Sequence, residues 1–365
     1  MFMEARFPLL TSTASRPGDQ SDALAERIRE ASARREPLSI VGGGTKAFYG
    51  RHVAGALFPI SGHTGIIDYE PSELVITARA GTPVVEIEAL LAQRNQMLAF
   101  EPPIFGAVST IGGVVASGLS GPRRPFAGAV RDFVLGVTVL DGRGQRLRLG
   151  GTVFKNVAGF DGFRLMAGAL GCLGVLLDVS LRVAPRPKAE LAVSLEGDWP
   201  TARDRITQLM RRPLPLSGAF HDGTRLYLRL SGPETAVAQA VQEIGGEPAG
   251  LVQFDALHHM RSGILTAAKL WRLSLPRSAQ VEDISGDWLI DWAGGQRWLV
   301  SQDANDRIRA SAVAAGGHAT LFRGADPADA VFTPLPASLF KIHQRLKGAF
   351  DPAGVFNPGR MYEGL

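Results

Sequence analysis

Lys155-Asn156-Val157-Ala158-Gly159-Phe160-Asp161 sets a cation, a carboxamide and an acid into an otherwise apolar run. Leu165, Gly168, Gly171 and Leu173-Gly174-Val175 follow it. Polar groups embedded among apolar ones mark contacts that the fold satisfies. Residues 175–183 are apolar and β-branched, which predicts a sheet strand, and 134–140 predict another. Asp141-Gly142-Arg143-Gly144 is a hairpin-like turn at the end of the earlier strand. The motif therefore lies between two predicted sheet strands.

Upstream stand two glycine-rich segments. Gly42-Gly43-Gly44-Thr45 follows a short buried strand predicted at 38–41. Three glycines in a row let successive backbone N–H groups approach an anion, because no Cβ intervenes. Thr45 adds a hydroxyl and Lys46 a charge, a set that suits a diphosphate. Gly-x-Gly-x-x-Gly is not met, since Ala47 stands three after Gly44, and the Gly-Lys-Ser/Thr phosphate loop is absent. A nicotinamide-binding unit and a nucleotide triphosphatase are thereby disfavoured, while a plain tight turn stays open for this loop alone. The second segment begins at Pro102-Pro103 and runs through Thr110, Gly112, Gly113, Ser120 and Gly121 to Gly128. Arg123-Arg124 lie inside it, with a phosphate, a substrate carboxylate, a partner and solvent all open as their contacts. Near the end of the chain, Asn357-Pro358-Gly359-Arg360 follows a helix predicted at 337–349.

Ser21 reads as the cap of a helix through 35, ended by Pro37. Thr82-Pro83 opens a helix to about 93. Pro185-Arg186-Pro187 marks a boundary. Beyond it, strands at 191–195, 226–230, 288–292, 298–301 and 318–322 alternate with helices at 200–210, 233–244 and 304–315. This pattern predicts helices on one side of an antiparallel sheet. No sequence repeat is evident.

The chain has 365 residues, 45% of them hydrophobic, enough for two domains and a large core. Its 39 basic and 35 acidic residues nearly balance, so nucleic acid is not indicated. The single cysteine, Cys172, cannot form an intrachain disulfide or hold an iron–sulfur cluster. It is expected to be a buried, inert thiol. No apolar stretch reaches the ~20 residues of a membrane span, and residues 1–20 read as a lead-in rather than a secretory signal. The expected location is cytoplasmic, with membrane contact only through partners. His258-His259 offer no third metal ligand at suitable spacing, so no metal site is expected. Trp271, Trp288, Trp292 and Trp298 fall in one stretch and form either a cap core or a partner-facing patch.

Taken in order, the four motifs resemble the FAD-binding subunit of bacterial glycolate oxidase, within the vanillyl-alcohol-oxidase type of flavoprotein. The resemblance covers about residues 21–363. It implies an α+β fold: a PCMH-type FAD-binding domain of two α+β subdomains at 21–186, after a lead-in at 1–20. An α+β cap with an antiparallel sheet follows at 187–333, and at 334–365 a helix and a tail that returns to the flavin. It implies FAD held without a covalent bond, since no histidine or cysteine follows the first loop where covalently linked relatives carry one. The implied cofactor-binding residues are Gly42, Gly43, Gly44, Thr45, Lys46, Pro103, Thr110, Gly112, Gly113, Ser120, Gly121, Gly128, Gly159, Asp161, Gly171, Val175 and Asn357. The second loop would wrap the diphosphate, and 171–175 would lie at the adenine end. Lys155 would face the ring or form a salt bridge with Asp161 or another acid. Lys155, Arg123 and Arg124 are the candidates for catalysis.

The same resemblance implies a larger FAD-bearing catalytic subunit and an iron–sulfur subunit as partners. It implies oxidation of glycolate or D-lactate to the 2-oxo acid, with electrons relayed through this chain. A stand-alone oxidase of D-2-hydroxy acids or sugars, and a non-catalytic assembly subunit, are the other readings. The first of these would need a cation pair and a base that the sequence does not reveal.

Overall fold

A computed structural model describes residues 18–151, 161–261, 263–281, 283–326 and 329–365 of the chain. Lys155 and Gly159 lie outside the described residues.

The helix Ser21–Arg34 buries Leu24, Ile28 and Ala31 on one face, as their spacing predicts. Ser21 is its first residue rather than its cap. Asp19 Oδ1 accepts from the Ser21 amide at 2.9 Å and from its hydroxyl at 2.6 Å. The helix packs beside a five-stranded antiparallel sheet in the order Ile66–Glu70, Val75–Arg79, Val175–Arg182, Val134–Leu140 and Arg146–Gly150. Val175–Arg182 and Val134–Leu140 are mostly buried, which is why they read as near-continuous apolar runs. Leu38–Val41 pairs in parallel with Ala56–Pro59. Its other edge takes the C-terminal tail, through Leu38 N to Val355 O at 2.7 Å and Asn357 N to Leu38 O at 3.0 Å. One large core joins these elements.

After the Pro185–Pro187 boundary the chain builds an eight-stranded sheet. It is two four-stranded halves. In the first, the strands in chain order are Ala189–Glu196, Leu216–His221, Arg225–Gly232 and Glu247–Ala249; in the second, Leu270–Ser274, Asp287–Asp291, Gln296–Val300 and His318–Arg323. Both halves have the spatial order fourth, first, third, second. Their second strands meet through one register pair, His221 with Ile290. The sheet is thus a structural duplication that no sequence repeat announces. The first half carries helices Trp199–Leu209 and Glu234–Ile244, and the second carries Asn305–Ala314.

The four clustered tryptophans belong to the sheet's interior. Trp271, Trp292 and Trp298 are buried and Trp288 is half-buried, so they form cap core and not a partner-facing patch. Cys172 is buried too, and burial pushes its thiol up to about 11, which keeps it unreactive.

Candidate functional site

Residues of the first, second and last motifs, and of the run that follows the third, are spread over more than 300 residues and converge on one cleft of about 480 Å³. Gly42 comes from the first, Gly112 and Gly113 from the second, Gly171 and Gly174 from the run after the third, and Asn357 from the last. Ile40, Ile60, Ala116, Met166 and Leu176 supply apolar walls.

The glycines bring the motifs together. A Cβ on Gly42 would overlap the Thr110 hydroxyl, and one on Gly43 would overlap the Val108 carbonyl. The first loop therefore rests directly on the second. Gly171, at φ +73, meets Asn357 in the same way, where a Cβ would lie 2.7 Å from Nδ2. Residues 111–117 of the second segment are helical, Ile111–Ser117, with Thr110 as the cap. The helix consumes its own first amides. Ile111 donates to Thr82 O, Gly112 to Ala80 O and Val114 to Thr110 O, while Gly113 donates to Thr110 Oγ1 at 3.2 Å.

The first loop differs. Among the described residues, the amides of Gly42, Gly43, Gly44 and Thr45 donate no hydrogen bond to the protein. Thr45 Oγ1 lies 2.9 Å from Ser109 Oγ. Lys46 is half-buried with no ion pair among the described residues, and burial alone pushes its ammonium down to about 8. Open amides beside a cation that meets the Phe105 ring at 5.6 Å but no acid among the described residues form a donor set suited to a diphosphate. Anion affinity is expected to fall as pH rises above about 8 and the free ammonium loses its proton. In Lys46→Met that pH dependence should vanish together with part of the affinity, as read by flavin titration at pH 7 and pH 9.

The C-terminal motif is a strut. Asn357 Oδ1 accepts from Ile40 N at 2.8 Å and its Nδ2 donates to Leu170 O at 2.7 Å. Buried Lys347 donates to Cys172 O, Asp351 Oδ2 and Phe356 O at 2.8, 2.7 and 2.6 Å. Arg360 donates to the carbonyls of Lys46, Ala47, Tyr49 and Arg51. The tail thereby fixes both sides of the cleft and the loop beyond Gly44.

The remaining expected contacts lie elsewhere. Pro103, Ser120 and Gly121 line a second cavity of about 330 Å³ against the eight-stranded sheet, with His258, Arg272, Asp291 and Gln296. Ser120 Oγ accepts from Val130 N at 3.0 Å. Gly128, at φ +112, makes the turn after the helix Arg124–Ala127. Val175 begins a core strand and is fully buried. Asp161 is exposed and pairs with Arg164 at 3.2 Å.

Arg123 and Arg124 have opposite surroundings. Arg123 is buried and pairs with Glu101 at 3.1 Å and Glu190 at 2.7 Å. Arg229 completes the network, 2.8 Å from Glu101. Arg123 is thus held by structural carboxylates, not by solvent. Arg124 is half-buried and stacks on Trp292 at 4.1 Å.

His258 Nε2 lies 3.0 Å from Pro102 O, and its ring stacks on His259 at 4.1 Å. Asp291 accepts from Trp292 N at 2.6 Å and Gln296 Nε2 at 3.4 Å. Burial, with a smaller push from the Glu101 charge, raises its carboxyl to about 7. The folded chain then holds this proton where the unfolded chain, near 3.8, has lost it. Asp291 therefore lowers stability progressively from about pH 4 to about pH 7 and by a constant amount above. Asp291→Asn should gain in thermal stability over the parent between pH 5 and pH 8, which melting curves at both pH values would test.

Sequence reasoning missed the apolar walls of the first cleft, because apolar wall and apolar core look alike along a chain. It also missed Arg272, Asp291 and Lys347, which carry no local signature.

A family model described as an FAD binding domain matches residues 16–150. The chain is 47% identical over 348 residues to the glycolate oxidase subunit GlcE of Escherichia coli (strain K12), covering 95% of this chain and 99% of the relative. It is 29% identical over 236 residues to the glycolate oxidase subunit GlcD of Bacillus subtilis (strain 168), 62% of this chain and 50% of that one. A D-lactate dehydrogenase of Anaerostipes hadrus is 30% identical over 141 residues, 38% of this chain and 29% of that one. Among solved structures, an alkyldihydroxyacetonephosphate synthase superposes with a TM-score of 0.65 at 14% identity, over 94% of this chain and 75% of that one; this likeness concerns the fold alone.

Proposed function

Because the chain belongs to the family of the glycolate oxidase subunit GlcE, among FAD-dependent oxidoreductases, we propose that it is the FAD-holding relay subunit of a glycolate-oxidising complex. The observation that carries this reading is the convergence on one cleft of residues from the first, second and last motifs and from the run after the third, with open amides at the first loop and a Lys46 that has no ion pair among the described residues. In this reading the amides of Gly42 to Thr45 and the Lys46 ammonium hold the diphosphate. Gly112 and Gly113 present a wall without side chains to the cofactor, and Ile40, Ile60 and Met166 exclude water. When bound, FAD supplies hydride acceptance from a carbon–oxygen donor such as glycolate or D-lactate.

Its partners are a larger flavin-bearing catalytic subunit and an iron–sulfur subunit. A chain with one buried cysteine cannot ligate a cluster itself, and among the described residues no helix is long and apolar enough to cross a membrane. FAD is held without a covalent bond. Purification of the chain alone should yield a yellow protein whose flavin is released by heat denaturation. Under anaerobic glycolate its colour should persist until the partner subunits are added. Bleaching in the isolated chain would overturn the relay assignment and place a complete active site here.

A further inference from the structure

We propose that the outer face of the helix Ala337–Phe350 is a docking surface for an acidic amphipathic helix of a partner subunit. The partner's existence rests on the proposed function; its chemistry rests on this helix.

A surface helix ordinarily buries its apolar side and leaves its charges in water. Ala337–Phe350 reverses this in part. Its one buried residue is Lys347, held by Cys172 O, Asp351 and Phe356 O. Phe340, His343 and Phe350 are half-buried; His343 faces the Tyr362 ring at 6.4 Å and Phe350 packs on the large core. Leu339 and Ile342, by contrast, are 44% and 58% exposed. Leu339, Ile342, Leu346 and Ala349 follow a three–four–three spacing. That spacing makes one stripe along a helix, the seam into which a second helix packs its knobs.

Charge identifies the partner. The helix carries Lys341, Arg345 and Lys347 and no acid. Lys341 and Arg345 are exposed and have no ion pair among the described residues. Arg345 flanks the seam, where partner choice is set by charge. Glu363 stands next to Gly364, the neighbour of the Phe340 ring, and pairs with Arg51 at 3.8 Å.

The other occupants match less well. Two copies of this helix would bring like charges together, which lowers affinity. Residues 1–17 carry Arg6 and Arg16 against Glu4 and so offer no acidic excess. A membrane takes helices with a broad apolar face that includes Trp or Phe, whereas this stripe is narrow and without an aromatic residue.

The test is assembly of the full, flavin-loaded chain with its co-expressed partner subunits, carrying a benzophenone amino acid at position 342. Illumination should join it to a helix of a partner subunit that has acidic residues beside an apolar stripe. Ile342→Glu and Arg345→Glu should each weaken assembly by about tenfold or more, with Ile342→Ala between them and the parent. Arg345→Glu should also flatten the salt dependence of assembly. Flavin absorbance and melting temperature should be unchanged in all three variants, because none of these residues lines the cofactor cleft. Equal assembly by Ile342→Glu would overturn the proposal and leave the complex standing. Cross-linking to residues 1–17 or to a second copy would overturn it too, as would binding to phosphatidylglycerol vesicles that Ile342→Glu abolishes. A parent chain that joined no partner subunit would overturn the relay reading, and the docking surface with it.

Discussion

Gly113→Val should give a folded protein that has lost its flavin. A Cβ on Gly113 would meet only the Thr110 hydroxyl, at 3.3 Å, because the position opens into the cleft. Valine is also no worse than glycine in a helix, so the fold should survive. The added methyls occupy space the cofactor needs, and affinity should drop on the order of 100-fold or more, a change of about 2.7 kcal/mol. The neighbouring glycine makes the contrast. A Cβ on Gly112 would lie 2.6 Å from Ala80 Cβ and 2.8 Å from its carbonyl oxygen. Gly112→Val forces the helix off the sheet and should lower melting temperature along with flavin content. Flavin absorbance per protein, read against circular dichroism melts, separates the two. Retention of flavin by folded Gly113→Val would show that this wall does not face the cofactor.

Glu101→Leu should cost about 3–5 kcal/mol of stability, the usual result of stripping one partner from a buried ionic network. Glu101 sits at φ +50, and its carboxylate takes Arg123 N at 2.8 Å as well as the two guanidinium groups. Burial raises its pKa, but the Arg229 and Arg123 charges outweigh burial and hold it below the usual carboxylate range. A depressed acid stabilises above its unfolded pKa and loses that contribution as pH falls through the folded value. The parent should therefore weaken in acid more steeply than the variant. Because Arg123 lies in the segment beside the cofactor cleft while Arg229 and Glu190 lie on the eight-stranded sheet, the variant should also loosen one part against the other. Urea melts at pH 7 and pH 4 would measure both effects; an unchanged midpoint at pH 7 would show that the network contributes nothing net.

Much of the architecture was legible along the chain. Residues 134–140 and 175–183 read as strands because buried central strands need apolar, β-branched residues throughout. Most helices of the second part were found within a residue or two, since an amphipathic period is local. Ala56–Pro59 and Val252–His258 were not read, being short and of mixed burial, and neither was the short, nearly fully buried strand Leu216–His221. The second glycine segment was read as loop because Gly112 and Gly113 are poor helix formers. Tertiary contact overrides that preference, as only glycine lets this helix approach Ala80.

At the site, the sequence by itself determined the order of the four motifs, and their resemblance to a flavoprotein family implied the α+β class and FAD. The motifs themselves rest on local backbone requirements: runs of glycine, a residue after a strand, a proline at a helix start. Only the tertiary structure decided what each residue does there. Glycines 42, 43 and 171 are needed first for loops to touch one another, and Asn357 spends its carboxamide on Ile40 and Leu170. Arg123 and Arg124, identical and adjacent, part completely, one locked between carboxylates and the other stacked on the Trp292 ring. Nothing local could separate them, because the acids and rings that do so lie from 22 to 168 residues away along the chain. A side chain's charge is fixed by its own chemistry, but its partner is fixed by which distant strands fold against it.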